Sequence, residues 1–123
     1  MFESRSTRIS QDQIDDYARL SGDFNPLHVD PDYAATTPFG GTIAHGSIPM
    51  NSILRSLALL VGSSGATGVH VELKLIGPSR PGDVITSAGE QGDDATWQVR
   101  AENQRGELVM VGIARISGNR GQL

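Results

Sequence analysis

The sequence predicts an α+β fold in which an antiparallel sheet curls around one long helix. Residues 48–61 are nearly all apolar at helical spacing, and Arg55 is their one charged member. Residues 69–75, 97–102 and 107–117 alternate apolar with polar side chains, which is typical of half-buried strands. Short turns rich in Gly, Asn and Asp separate these strands. A helix that is apolar on most sides has to be surrounded by other structure, so we expect the sheet to wrap around it.

The first helix is predicted from its N-terminal signals. Ser10 is a suitable N-cap, and Gln13 three residues later completes a capping box. Several Asp residues in the first turns suit the helix dipole, and Gly22 is expected to end the helix. Residues 2–8, which precede it, are expected to form a short polar strand.

Residues 23–45 are expected to be irregular, with a single turn of helix at residues 33–35. Three prolines and a Gly-Gly pair prevent a continuous helix or strand. More than twenty loop residues in a small domain are unusual, and such loops are usually functional or disordered. The aromatic and aliphatic residues of this loop argue against disorder.

The helix that follows is predicted over residues 48–61, with Pro49 in its first turn and Gly62 at its end. Its expected buried stripe comprises Met50, Ile53, Leu54, Leu57, Ala58 and Val61. The remaining chain is expected to form four strands joined as an antiparallel meander, over residues 69–75, 83–90, 97–102 and 107–117.

Composition limits the possible chemistry. The 123 residues suffice for one domain, 1–123, and contain no Cys, so disulfides, thiolate catalysis and Cys-based metal sites are excluded. The net charge of −4, without a basic run, argues against a nucleic-acid partner. No apolar stretch approaches the roughly 20 residues of a membrane span, and the start lacks the apolar run of a signal peptide. We therefore expect a cytoplasmic protein with no membrane partner.

Asp23 and His28 are the first candidate catalytic pair. Asn25 precedes a proline, which pushes it toward extended backbone and favours a turn. Such a turn can bring the carboxylate and the imidazole to face one gap, where they would hold a water molecule and move its protons. The alternative is that Asp23 caps a local turn and His28 is merely exposed, and the spacing by itself favours this alternative.

The second candidate lies at residues 45–47, immediately before the apolar helix. A glycine at a helix start allows close approach to the backbone, and the free N–H groups there favour developing negative charge. Gly46 can therefore be an oxyanion donor or a simple loop hinge. His45 can be a second base or a packed side chain, of which packing is favoured. His70 is expected to face outward from its strand.

Metal and nucleotide sites are not expected. His28, Asp30 and Asp32 form only a common His-x-Asp pattern without a second histidine at helical spacing. The glycines match neither the dinucleotide fingerprint nor the P-loop, and Ser47 does not lie in a nucleophile elbow. No cofactor is predicted.

One stretch of the chain resembles the MaoC-like (R)-specific enoyl-CoA hydratases. Residues 21–28 read Ser-Gly-Asp-Phe-Asn-Pro-Leu-His, which contains every element of that family's signature. Residues 43–46 read Ile-Ala-His-Gly, and residues 74–83 resemble a third landmark. The order of the predicted elements also fits, so the resemblance covers roughly residues 5–117.

The resemblance implies a hot-dog fold, dimers whose sheets join edge to edge, and thioesters of CoA or acyl-carrier protein as substrates. It assigns Asp23 and His28 as the catalytic dyad and the Gly46 N–H as the donor to the thioester carbonyl. Asn25 would hold the active loop, and Ser47 falls where the acyl chain would pass. Lys74, Arg80 and Arg100 are candidates to meet the CoA phosphates, although a surface role is favoured for each.

Two other functions remain open at this point. A hot-dog thioesterase would share the fold and the substrate class, but the complete Asp-x-Asn-Pro-x-His motif favours addition of water to the alkene. A non-catalytic thioester-binding subunit would not need the Asp–His pair. The expected activity is therefore reversible hydration of a trans-2-enoyl thioester to the (R)-3-hydroxyacyl thioester, by a homodimer or a larger homo-oligomer.

Overall fold

The computed structural model describes residues 2–64, 68–93 and 95–117. The elements in chain order are β1 (Ser6–Arg8), α1 (Gln11–Ser21), α2 (Pro26–Val29), α3 (Pro31–Ala35), α4 (Ser47–Ser64), β2 (Gly68–Leu75), β3 (Val84–Gln91), β4 (Thr96–Glu102) and β5 (Leu108–Ser117). None of these helices is long and apolar enough to cross a membrane. The predicted α+β class, a curled antiparallel sheet with one long helix, is confirmed.

The described strands form one antiparallel sheet in the order β1-β3-β4-β5-β2. Only β3, β4 and β5 follow one another as a meander, so the predicted four-stranded meander is wrong at its first strand. β2 pairs with β5 over its whole length, from Gly68 opposite Ser117 to Leu75 opposite Met110. The chain must therefore cross the sheet between β2 and β3, which leaves β2 at one edge and β1 at the other.

The edge position of β2 explains why its alternating pattern is only partly realised. Val69 and Leu75, expected to face the core, are 37% and 51% exposed. The alternation of β5 is interrupted because the β4–β5 register shifts at Ala101 and Glu102, which leaves Val109 as an extra residue. Val109 is buried and Leu108 is exposed, contrary to the predicted face.

Helix α4 begins one residue before the predicted start and continues through Gly62, which was expected to end it. Its buried face carries Ile48, Pro49, Ser52, Ile53, Ser56, Leu57 and Leu60. Leu54 and Ala58, placed on the predicted stripe, are exposed instead. The predicted stripe is wrong at these two positions because the buried face includes two serines, which an apolar pattern cannot detect.

Ser52 donates to the Pro49 carbonyl oxygen within α4, whereas Ser56 bonds to the sheet and to the N-terminal segment. The Ser56 hydroxyl lies 2.7 Å from the hydroxyl of Ser87 on β3 and 2.5 Å from the Glu3 carbonyl oxygen. The Ser87 hydroxyl also accepts from the Arg5 N–H at 2.8 Å. Because the side chains of both serines are fully buried, this network joins α4, β3 and the N-terminal segment.

The predicted N-cap and end of α1 are confirmed, but the capping box is only half formed, because Gln13 Oε1 has no hydrogen-bond partner among the described residues. The Ser10 hydroxyl accepts from the Gln13 N–H, and Gly22 ends the helix with φ +79°, in the left-handed region. The long loop is more ordered than predicted, because residues 23–45 contain α2 and α3. Asn25 and Asp30 cap these two short helices with their side-chain oxygens, and a proline begins each one.

Candidate active site

The segments between α1 and α4 bring three titratable side chains to one point. An Asp23 carboxylate oxygen, Oδ2, lies 3.9 Å from His28 Nε2 and 4.0 Å from His45 Nε2. The carboxylate is about half exposed, His28 is partly buried, and His45 is 3% exposed. The predicted Asp23–His28 pair therefore does face one gap, and the buried His45 ring lies next to this gap.

Local hydrogen bonds shape the loop that carries Asp23. Asp23 Oδ1 accepts from the Asn25 N–H at 3.2 Å, and Asn25 Oδ1 accepts from the Leu27 N–H at 3.0 Å. The His28 N–H donates to the Asn25 carbonyl oxygen at 2.8 Å. Successive turns of this kind are what the Asp-x-Asn-Pro sequence favours, and they bring residues five apart onto one side. The Asn25 side chain closes one of these turns.

The His28 ring is oriented by the segment before α4. Its Nδ1 lies 2.8 Å from the Ile43 carbonyl oxygen, which can only accept, so Nδ1 carries the hydrogen. In the neutral ring, Nε2 then has a free lone pair, and this is the atom that faces Asp23. The Gln11 amide group donates to the His28 carbonyl oxygen, and Thr42 donates to Gln11 Oε1. Gln11, the first residue of α1, therefore contacts the loop at both His28 and Thr42.

His45 packs beneath the pair. Its ring stacks on that of His28 with centroids 3.9 Å apart, and the Tyr17 ring meets it edge-on at 4.7 Å. Its Nε2 lies 3.0 Å from the backbone carbonyl oxygen of Asp23. The packed position, favoured from the sequence, is the one observed.

Gly46 lies directly before α4. Within the described part of the chain, no backbone acceptor takes the Gly46 N–H, while its carbonyl oxygen accepts from the Met50 N–H. A Cβ at this position would come within 3.3 Å of the Leu75 Cδ2 atom, so the backbone and β2 approach closely here. The Ser47 hydroxyl donates to the Tyr17 hydroxyl at 2.6 Å.

Two cavities adjoin these residues. One has a volume of about 330 Å³ and is lined by Gln13, Asp16, Tyr17, Leu20, Ser47, Ile48 and Asn51. The other, of about 250 Å³, is mostly apolar and is lined by Phe39, Ile43, Ala44, Pro49, Leu75, Ile76, Gly77, Pro78 and Ser79. Each is large enough to take part of an elongated ligand.

Asp23, His28 and His45 also offer three ligand atoms within 4.8 Å of one another, the spacing of a metal site. The tautomers disfavour this use. His45 Nε2 faces a carbonyl oxygen and must carry a hydrogen, whereas a metal ligand needs a lone pair at that atom. The arrangement fits an acid–base pair with an anchored neighbour better than a metal centre.

The other candidates lie outside this cluster. The side chain of Asp30 caps α3, and His70 is exposed and contacts Glu72. Arg100 forms an ion pair with Glu90, and Arg80 donates to the Phe39 carbonyl oxygen. The hydrogen bonds of Gln11 and the contacts of Tyr17 were not predicted, because a single sequence carries no signal for such long-range contacts.

Comparison with known proteins gives the family. The MaoC-like domain model matches residues 2–111. The chain belongs to the MaoC-like domain family. It is 40% identical to the (R)-specific enoyl-CoA hydratase of Rhodospirillum rubrum, over 68% of this chain and 58% of that protein. It is 35% identical to the 3-hydroxybutyryl-CoA dehydratase of Methylorubrum extorquens, over 63% of this chain and 49% of that protein. The MaoC-like chain thus spans about half the length of these two relatives.

Solved structures agree with this assignment. The (R)-hydratase from Aeromonas caviae involved in PHA biosynthesis superposes with a TM-score of 0.75 at 30% identity, over 94% of this chain and 92% of that one. The R-hydratase from Pseudomonas aeruginosa superposes with a TM-score of 0.77 at 29% identity, over 94% and 78%. This MaoC-like chain therefore has the hot-dog fold that its sequence resemblance implied.

Proposed function

We propose that this chain catalyses the reversible (R)-specific hydration of a trans-2-enoyl thioester to the (R)-3-hydroxyacyl thioester. The observation that carries the proposal is the 3.9 Å gap between Asp23 Oδ2 and the lone-pair atom of His28. A water oxygen about 2.8 Å from each atom fits this gap and would bond to both. The names of the relatives support the same chemistry.

In the proposed reaction Asp23 and His28 hold and activate this water. As its oxygen bonds to the β-carbon, one of the two groups takes its proton, and the electrons of the double bond move toward the thioester carbonyl. The protonated group then gives this proton to the α-carbon from the same face, so H and OH are added in total and the pair returns to its starting state. General acid–base catalysis of this kind contributes about 10² to 10⁴ in rate.

The enolate oxygen needs a donor, and Gly46 is the proposed one. Its N–H is not used by any described backbone acceptor, and it lies at the start of the 18-residue helix α4. Unpaired N–H groups and the positive end of the helix dipole favour negative charge at this place. One well-placed donor of this kind is worth about 3 kcal/mol of barrier.

The substrate is proposed to be a thioester of CoA or of acyl-carrier protein. Ser47 lines one of the two cavities near the start of α4, and Ile43 with Leu75 lines the other, although neither cavity is lined by Asp23 or His28. Asn25 contributes by holding the loop. Lys74 is exposed and has no ion-pair partner among the described residues, whereas Arg80 and Arg100 have partners of their own, so Lys74 is the preferred one of the three cations proposed for phosphate contacts.

A homodimer of single hot-dog domains, each comprising residues 1–123, is part of this proposal. Among the described strands, β2 pairs with β5 on one side only, and its end at Leu75 with the adjacent Ile76 exposes apolar surface. An unpaired edge strand of this kind favours pairing with a second copy. The cytoplasmic location stays a prediction, which cell fractionation would test.

One assay tests the activity. Purified protein is mixed with crotonyl-CoA while the conjugated enoyl absorbance and free thiol are followed together. Loss of absorbance without thiol, and chiral analysis giving the (R)-3-hydroxy product, are the expected results. Release of thiol would instead indicate a thioesterase. Neither change with any member of an acyl-chain series, on CoA or carrier protein, would indicate a non-catalytic binding subunit and contradict the proposal.

A further inference from the structure

We infer that His45 is a positioning residue for the dyad, acting as a neutral Nε2–H donor that anchors the Asp23 backbone and supports the His28 ring. The inference rests on the proposed function, because it concerns the same dyad. It assigns His45 no proton transfer to the substrate. Three contacts of the buried His45 ring carry this inference.

The first contact fixes the main chain of Asp23. The Asp23 carbonyl oxygen lies 3.0 Å from His45 Nε2 and can only accept, so Nε2 carries the hydrogen. Asp23 follows the end of α1, and its side chain is about half exposed. Because solvent-exposed loop residues are held weakly by packing, this hydrogen bond to a buried ring is what ties Asp23 to the start of α4.

The second and third contacts fix the rings. His45 stacks on His28 with an interplanar angle of 29°, and the Tyr17 ring packs against it at 62° with centroids 4.7 Å apart. His28 is held at Nδ1 by the Ile43 carbonyl oxygen, which leaves ring rotation and tilt to be limited by packing. The stacked His45 ring limits both, and so sets where His28 Nε2 faces the carboxylate.

The surroundings of the His45 Nδ1 atom indicate which tautomer of the ring the site favours. It is buried and has no hydrogen-bond partner within the described residues. A hydrogen on this atom would have no acceptor, which is a costly arrangement for a buried donor. The site therefore suits a neutral His45 with its one hydrogen on Nε2, and leaves no route by which His45 Nδ1 would exchange protons with the pair.

Three substitutions of His45 separate anchoring from packing. In His45→Gln the amide nitrogen reaches the position of Nε2 and keeps a donor to the Asp23 carbonyl oxygen. In His45→Asn the amide reaches only the position of Nδ1, and His45→Leu keeps apolar bulk without a donor. His70→Gln, a change at an exposed histidine on β2, is the matched control.

We expect His45→Gln to keep kcat within about fivefold of wild type, and the Asn and Leu variants to lose about thirtyfold or more, since small misplacements of catalytic groups cost up to about 10² in rate. KM should stay within about threefold for all of them. His70→Gln should equal wild type. A Leu or Asn variant within about threefold of wild type, or a Gln variant as slow as Leu, overturns the inference.

An NMR measurement decides the tautomer without substrate. Long-range proton–nitrogen correlations of the untagged protein at about pH 8, above the ordinary titration range of histidine, should show Nε2–H at His45 and Nδ1–H at His28. The His45→Gln spectrum assigns the signals. Nδ1–H at His45 overturns the inference even if the variants are slow. If wild type hydrates no enoyl thioester, the proposed function fails, and this spectrum still decides the role of His45.

Discussion

Replacing Asp23 by Asn separates the chemistry of this carboxylate from its part in the loop. The side chain is 53% exposed, and Oδ1 accepts from the Asn25 N–H at 3.2 Å. Asn keeps a carbonyl oxygen for that bond, so the turn survives. The free energy of unfolding should change by less than about 0.5 kcal/mol, as is usual for surface substitutions that keep their hydrogen bonds.

The same change removes the charge that faces His28. At the position of Oδ2, 3.9 Å from His28 Nε2, Asn presents an amide NH₂ group that cannot accept a proton from water. The pair then loses its joint hold on the nucleophile. We expect kcat to fall by about 10² to 10⁴, equivalent to about 3 to 5 kcal/mol of barrier, with KM changed by less than about threefold.

The assay follows loss of the enoyl absorbance of crotonyl-CoA at saturating and limiting substrate, with urea denaturation of each variant. Asp30→Asn is the matched control, because its Oδ1 also accepts one backbone N–H, from Tyr33 at 3.1 Å, and it lies two residues after His28. This control should equal wild type. An Asp23→Asn variant that retained more than about a tenth of wild-type kcat, or a control as slow as Asp23→Asn, would refute the reasoning.

Four further predictions follow from particular contacts. Gly46→Ala places a Cβ 3.3 Å from Leu75 Cδ2 and should lower kcat about tenfold, and a second change, Leu75→Ala, should recover most of it if crowding is the cause. Leu75→Asp puts a charge on the exposed end of β2 and should convert the proposed dimer to a monomer in analytical ultracentrifugation, whereas an unchanged mass would contradict dimerisation at this edge. Ser87→Ala leaves the Arg5 N–H without its acceptor and should lower the free energy of unfolding by about 1 to 3 kcal/mol in urea, with kcat unchanged. The Asn103 amide donates to the Glu107 carboxylate and, with the Arg105 side chain, lowers the pKa of that carboxyl, so Asn103→Ala should raise the Glu107 pKa measured by NMR titration. The contact stabilises the folded state at a pH above the Glu107 pKa of the unfolded chain. This stabilisation is lost as the pH falls through the Glu107 pKa of the folded protein.

Signals that act over a few residues could be read directly from the sequence. The Ser10 cap, the left-handed Gly22 and the length of α1 follow from contacts between residues three or four apart. The same is true of the loop that carries Asp23 and His28, since its turns are closed by side chains onto backbone groups two residues away. Local hydrogen bonding therefore determines the first helix and brings Asp23 and His28 onto one side of their loop, whereas the His28 ring is oriented by the distant Ile43 and His45.

Contacts between distant residues were decided by the tertiary structure. The sequence could not place β2 beside β5 or assign it to an edge, because its alternation is the same whichever strand it pairs with. It could not select the buried face of α4, where Ser56 is matched to Ser87 thirty-one residues away. The sequence also left two roles open for His45, a second base or a packed side chain, because the contacts that decide between them join residues far apart in the chain.

The sequence by itself determined the fold class and the apolar central helix, because periodicity is a local property. It offered the Asp23–His28 pair as one of two possibilities, and the family resemblance selected it. Only the tertiary structure brought His45 under that pair, 3.0 Å from the Asp23 carbonyl oxygen, and aligned the Gly46 backbone against Leu75. Such contacts depend on how α1, α4 and the sheet pack together, and packing is decided by shape and hydrogen-bond satisfaction across the whole domain.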